Sequence, residues 1–184
     1  MSPPKPIPHR APTSSVNQKP STDNLTLPAG TVVTAWKGGA PAGPAEMAKI
    51  TKGGFRALLS AGWYENYIAY GAQWPAYYAL DPADFGGAQG NKSLVMGGEL
   101  ACWGEFVDST NLISRVFPYG CAIAERLWSP HDVTNATLAA PRLHDHRCRM
   151  LARNLPAEPA NGPSFCPTEW NPAYVPPFPV AGTA

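Results

Sequence analysis

Proline divides this chain before anything else is read. Of 22 prolines, 7 lie in residues 1–30 and 8 in residues 156–184, which leaves 7 for the 125 residues between. A residue that fixes φ and donates no N–H ends helices and leaves sheet ladders unpaired. Regular structure is therefore expected between about residues 31 and 155. Residues 1–30 are rich in Pro, Ser, Thr, Asn and Lys, with one apolar cluster at Leu25 and Leu27. They bury too little surface to offset ordering entropy, so residues 1–30 read as a disordered segment. Residues 167–184 read as a Pro-rich extended tail.

Between these ends the pattern alternates strand and helix. Residues 31–36 are short and β-branched and read as a buried strand, followed by a Gly-Gly-Ala-Pro break. Residues 45–52 read as a helix with Pro44 in its first turn and Gly53-Gly54 as its stop. Residues 55–60 and 94–98 read as a second and a third strand, separated by a long aromatic loop from Trp63 to Phe85. Residues 112–128 read as helical with a break at Pro118, and residues 134–153 as a helix interrupted at Pro141. Strands alternating with helices define an α/β domain with a parallel sheet.

Charge and hydropathy exclude several functions. Fourteen basic and 13 acidic residues leave a net charge of +1, so there is no basic footprint for nucleic acid. The apolar runs are far shorter than the roughly 20 residues of a membrane helix. The opening Met1-Ser-Pro-Pro-Lys-Pro has no apolar core, so no signal peptide is read in this chain. Cys and His do not cluster as ligand pairs, so neither metal nor cofactor is expected. Three sequons, at Asn24, Asn91 and Asn135, are candidate glycosylation sites. Gly97-Gly98 lacks a phosphate-loop pattern and reads as a tight backbone site. Glu125-Arg126 reads as structural, a salt bridge or a clamp on carbonyls.

Trp36, Tyr64 and Trp103 each follow a strand, 28 and 39 residues apart. In a (β/α)8 barrel one unit takes about 30 residues, and the site lies at the C-terminal ends of the strands. The three aromatics could wall a pocket there, or pack the core and anchor loops.

The blocks Gly54-Phe-Arg-Ala-Leu-Leu-Ser60, Trp63-Tyr64, Tyr70-Gly71, Gly97-Gly-Glu-Leu-Ala-Cys-Trp-Gly-Glu105 and Ala124-Glu-Arg-Leu-Trp-Ser129 together resemble the family 20 glycoside hydrolases, the β-N-acetylhexosaminidases, the animal lysosomal enzymes above all. Arg142-Leu143, Arg147-Cys148 and Phe165-Cys166 extend the resemblance, which runs over residues 31–166; residues 1–30 have no counterpart in it. It implies the C-terminal portion of a TIM barrel, its last three βα units. It implies that Trp36 lines a pocket for the N-acetyl group and that Tyr64 orients the acetamide. Asn66 would lie near the sugar 6-position, Trp103 would pack on the sugar and Glu105 would accept its hydroxyls. Tyr70 would reach toward a partner subunit, in a homo- or heterodimer. Cys148 and Cys166 would form a closing disulfide, worth about 3 kcal/mol on the chain-entropy model. The implied substrates are glycans ending in N-acetylglucosamine or N-acetylgalactosamine, and the implied setting is lysosomal or secreted.

Family 20 chemistry is substrate-assisted, since the substrate's acetamide replaces the second carboxylate of ordinary retaining glycosidases. The family's catalytic groups are a consecutive Asp-Glu pair. None of the 13 acids in this chain adjoins another. The expectation is thus a hexosaminidase stretch that carries the binding wall without the acid pair. The alternative is a non-catalytic remnant that binds sugar or a partner subunit.

Overall fold

The computed structural model describes residues 15–16, 27–37, 39–67, 69–85, 88–162 and 165–167. Most of the expected disordered segment 1–30, the tail 168–184 and Asn24 lie outside the described residues. A four-stranded parallel sheet runs in the order β1 (Ser15–Val16), β2 (Val32–Ala35), β3 (Arg56–Leu59) and β4 (Val95–Gly98). Around it stand α1 (Gly39–Lys52), α2 (Trp74–Ala79), α3 (Leu112–Val116), α4 (Tyr119–Trp128) and α5 (Ala136–Leu151).

The interior strand β2 is buried at all four positions, as a parallel strand covered on both faces requires. Val33, Ala57 and Leu59 are fully enclosed with Met47 and Ile50 of α1. The approach of α1 to β3 is close: a Cβ at Gly43 would meet Leu59 Cδ1 at 2.8 Å. Helix α1 stops where Gly54 turns to φ +83°, a region that only glycine enters freely. There the Gly53 N–H donates to the Lys49 carbonyl at 3.0 Å and the Phe55 N–H to the Ile50 carbonyl at 3.3 Å. Strand β4 is less covered, and Met96 is exposed.

Helix α4 buries Tyr119, Ala122, Ile123 and Arg126, and α5 buries Ala139, Leu143, Arg147 and Met150. Those spacings of three and four put one stripe of each helix on the core. The pair Glu125 and Arg126 splits between two partners rather than meeting. Arg126 Nη2 lies 3.1 Å from Asp81 Oδ2 and also donates to the His131 carbonyl. Glu125 accepts from Arg142 and, at 2.8 Å, from the Tyr78 hydroxyl. Burial opposes ionisation of Glu125, but the hydrogen bonds from Arg142 and Tyr78 hold its carboxyl below the ordinary value.

Five features depart from the sequence reading. The sheet has a fourth strand, Ser15–Val16, within the segment expected to lie outside the fold. Its backbone pairs with the edge that β2 would otherwise leave open. Helix α1 begins at Gly39 rather than near residue 45, because Pro41 sits in the first turn, where no N–H is needed. Pro44 then forfeits one hydrogen bond inside the helix. The aromatic loop contains α2, opened by Pro75 and buried through Trp74, Tyr77 and Tyr78. Helix α5 runs unbroken through Pro141, which lies near its N-terminus and gives up one N–H bond while the buried stripe carries on. The sequence also predicts buried free thiols at Cys102 and Cys121, and both are half-buried. The break at Pro118 falls where expected, between α3 and α4.

Cys148 and Cys166 form a disulfide with a Cα–Cα distance of 5.4 Å, joining α5 to the segment beyond it. Beside it Arg147 donates to the Glu158 carbonyl at 3.0 Å and to Cys166 Sγ at 3.5 Å. Among the described residues no helix is long and apolar enough to cross a membrane, and no three acidic, His or Cys side chains gather as a metal site.

Candidate functional site

Because β2, β3 and β4 are parallel neighbours, the segments that leave their C-terminal ends emerge at one end of the sheet. Trp36 leaves β2 directly, Tyr64 lies five residues beyond β3, and Trp103 lies five residues beyond β4. Open sheets of this kind place ligands outside the carboxyl ends of their strands.

The segments after β3 and β4 stay paired beyond the strands themselves. Tyr64 forms an isolated parallel bridge with Ala101. The Ala101 N–H donates to the Trp63 carbonyl and the Glu65 N–H to the Ala101 carbonyl, both at 2.9 Å. One step further, Asn66 Nδ2 donates to Glu105 Oε2 at 3.3 Å. Two loops far apart in sequence are therefore held as a single two-ply ribbon. Trp63 anchors its inner side: the indole is wholly enclosed, and its Nε1–H donates to the Tyr77 carbonyl at 3.0 Å.

The side chains at this end divide by exposure. Trp36 is 38% exposed and Trp103 55%. The Lys37 ammonium lies 4.9 Å from the Trp36 ring. Glu105 is exposed, Tyr64 is half-buried with its ring 6.1 Å from that of Tyr67, and Asn66 is buried. Asn66 Oδ1 has no hydrogen-bond partner among the described residues. This end of the sheet thus carries two exposed tryptophans, an exposed carboxylate and a half-buried tyrosine.

Tyr70 stands apart, fully exposed, on a loop that borders a cavity of about 280 Å³ lined also by Gln73, Arg115, Tyr119 and Glu158. Asn91 and Asn135 lie elsewhere on the surface. Asn91 Oδ1 accepts from the N–H and the hydroxyl of Ser93, and Asn135 Oδ1 caps α5 by accepting from the Leu138 N–H.

Glu65 was not singled out from the sequence. It sits between Tyr64 and Asn66 and is 3% exposed, with neither carboxyl oxygen hydrogen-bonded among the described residues. The available signal was alternation: in an extended stretch Glu65 shares a side with Trp63, and Trp63 faces the core.

Residues 14–131 match the family model of the glycosyl hydrolase family 20 catalytic domain, and the chain belongs to that family. The match takes in β1, so the family resemblance begins well before residue 31. Among its relatives, the β-hexosaminidase subunit β of Felis catus is 47% identical over 146 residues, covering 79% of this chain and 27% of that protein. The subunit β of Homo sapiens is 46% identical over 146 residues, covering 79% and 26%. The chain thus spans about a quarter of the length of these relatives. The solved chitobiase of Flavobacterium johnsoniae superposes with a TM-score of 0.62 at 28% identity, over 71% of this chain and 20% of that one. A family 20 exo-β-N-acetylglucosaminidase from Vibrio harveyi shares the fold, with a TM-score of 0.60 at 16% identity over 73% of this chain and 23% of that one.

Proposed function

We propose that this chain supplies the sugar-holding wall of a β-N-acetylhexosaminidase and has no hydrolytic activity by itself. The observation that carries the reading is the ribbon that couples Tyr64 and Asn66 to Ala101 and Glu105, with Trp36 and Trp103 exposed at the same end of the sheet. The four strands are taken as the C-terminal part of a (β/α)8 barrel, whose sites lie at this end.

In that role Trp36 and Trp103 give apolar faces to the N-acetyl group and the sugar ring. The Tyr64 hydroxyl donates to the acetamide carbonyl oxygen and aims it at the anomeric carbon. Glu105 accepts from the sugar hydroxyls, and Asn66 holds Glu105 in place. Attack by the acetamide oxygen closes an oxazolinium ring on the substrate as the glycosidic bond breaks, a reaction favoured by fixed geometry. The leaving oxygen needs a proton from an acid, and the ring nitrogen needs a carboxylate beside it. The chain has no adjacent Asp-Glu pair to fill these roles.

The pure chain is therefore expected to quench its tryptophan fluorescence on titration with N-acetylglucosamine, and not with glucose, which lacks the acetamide. It is expected to release no 4-nitrophenol from 4-nitrophenyl N-acetyl-β-glucosaminide. Equal quenching by both sugars, or measurable turnover, sinks the reading. The substrates proposed for the whole protein are glycans ending in N-acetylglucosamine or N-acetylgalactosamine. A lysosomal or secreted setting suits the Cys148–Cys166 disulfide, which needs an oxidising compartment.

A second reading, contact with a partner subunit, is favoured by the full exposure of Tyr70 together with Tyr67 beside the cavity loop. Tyr70→Ala is expected to shift the sedimentation of the chain from dimer toward monomer and leave the sugar-induced quench intact. Unchanged sedimentation would remove Tyr70 from that role.

A further inference from the structure

A buried carboxyl with no partner costs free energy unless it stays neutral or does something. Glu65 is such a group, and its position is unusual. Its own N–H is one half of the pairing with Ala101, and its neighbours on either side are Tyr64 and Asn66. At 3% exposure its side chain reaches water only if the packing around it opens or the segment that carries it moves. The groups that face it come from every element packed there: Tyr77 of α2, Arg115 of α3, Tyr119 and Cys121 of α4, Cys102 after β4 and Glu158 after α5. Arg115 is the cation among them, and its Nη2 is engaged with the Tyr67 carbonyl at 3.2 Å. Glu158 is a second acid whose ionisation burial opposes.

We propose that Glu65 is a positioning residue: as the neutral acid it stays beneath the ribbon and keeps Tyr64 and Asn66 on Ala101 and Glu105, and as the carboxylate it drives that segment toward water and loosens the site. The inference rests on the reading of Tyr64 and Asn66 as sugar-site residues.

The direction in pH follows from linkage. Burial first, then Glu158, push the Glu65 carboxyl up to about 8, against the opposing pull of Arg115; its ordinary value is 4.5. Between those two values the folded chain keeps a proton that the unfolded chain has released. The stability due to the neutral acid is therefore complete below pH 4.5 and is lost as pH rises through about 8. Glu158 adds to the same slope, so a change at Glu65 reduces the slope rather than removing it.

The test follows urea unfolding midpoints and the N-acetylglucosamine quench of the full chain between pH 4.5 and 8.5. The wild type is compared with Glu65→Gln, which keeps the shape, and Glu65→Leu, which brings no polar group. The wild-type midpoint should fall steadily as pH rises. Both variants should fall less and be the more stable at pH 8.5. Wild-type sugar affinity should weaken about fourfold between pH 6 and pH 8.5, as the competent fraction shrinks to about a quarter, and the affinity of Glu65→Gln should not vary with pH over that range. The proposal is overturned if the variants track the wild type in parallel, or if both unfold at a pH where the wild type is folded. If the stability slope flattens but no protein is quenched by the sugar at any pH, the sugar reading fails and the proton-dependent ribbon stands.

Discussion

Gly98→Ala is expected to produce one of the two largest losses of stability. A Cβ at this position would lie 2.1 Å from Trp63 Cζ3 and 2.5 Å from the Leu59 carbonyl oxygen. Neither neighbour can give way. The Leu59 oxygen is part of the sheet and accepts the Glu99 N–H at 2.9 Å. The Trp63 indole is fully enclosed and tied by its N–H to Tyr77. Overpacking a core costs about 1–3 kcal/mol, and more where the surroundings are rigid. Gly98→Ala should therefore cost about 3 kcal/mol or more, a large share of the roughly 5–15 kcal/mol that holds a domain together. Gly54→Ala is the control. Its φ is +83° and nothing lies within 4 Å of the added carbon, so only backbone strain is paid, about 1–2 kcal/mol. Urea unfolding of both variants decides the matter. Equal midpoints for the two would mean that Trp63 shifts freely and that the site ribbon has no rigid floor.

Arg126→Met is expected to be comparably damaging. The guanidinium is 3% exposed, lies 3.1 Å from Asp81 Oδ2, and donates to the carbonyls of Pro130 and His131 at 3.4 and 3.1 Å. Removing it strands a carboxylate and two carbonyls at the turn that leads into α5. Breaking a buried pair on one side typically costs about 3–5 kcal/mol, chiefly because the remaining charge is uncompensated; the Asp81 side chain keeps 22% exposure, so the loss here falls at the low end, about 3 kcal/mol. Its sequence neighbour offers the contrast. Glu125 and Arg142 form a closer pair, but both are substantially exposed, and such pairs contribute about 0–1 kcal/mol. A double-mutant cycle of Arg126→Met with Asp81→Asn, read by urea unfolding, should give a coupling of about 1 kcal/mol or more. A coupling near zero would leave the carbonyl clamp, not the ion pair, as the reason Arg126 is buried.

Some of this protein is written in local residue chemistry. The β-branched run before Trp36, the Gly53-Gly54 stop and the Pro118 break each depend on a residue's own φ preference or branching, which neighbours in space cannot alter much. The alternation of short apolar strands with helices likewise required a parallel sheet. The paired blocks around Trp63 and Gly97 carried the family resemblance, and with it the candidate site residues. The need for glycine at position 98 was legible as a tight backbone site, though not its cause, the Trp63 ring.

The tertiary structure decided the rest, wherever long-range packing outweighed local preference. Pro141 stays inside α5 because the stripe from Ala139 to Met150 is buried against the core, which offsets one lost hydrogen bond. Ser15–Val16 becomes a strand because β2 offers it an edge, and α2 forms in the aromatic loop because Trp74, Tyr77 and Tyr78 find a core to fill. Glu125 and Arg126, adjacent in the chain, part to different partners because successive helical residues point away from each other. Glu65 is the sharpest case. The sequence shows only an acid among aromatics; its burial, its missing partners and its grip on both halves of the site exist only once α2, α3, α4 and the segment after α5 close around it.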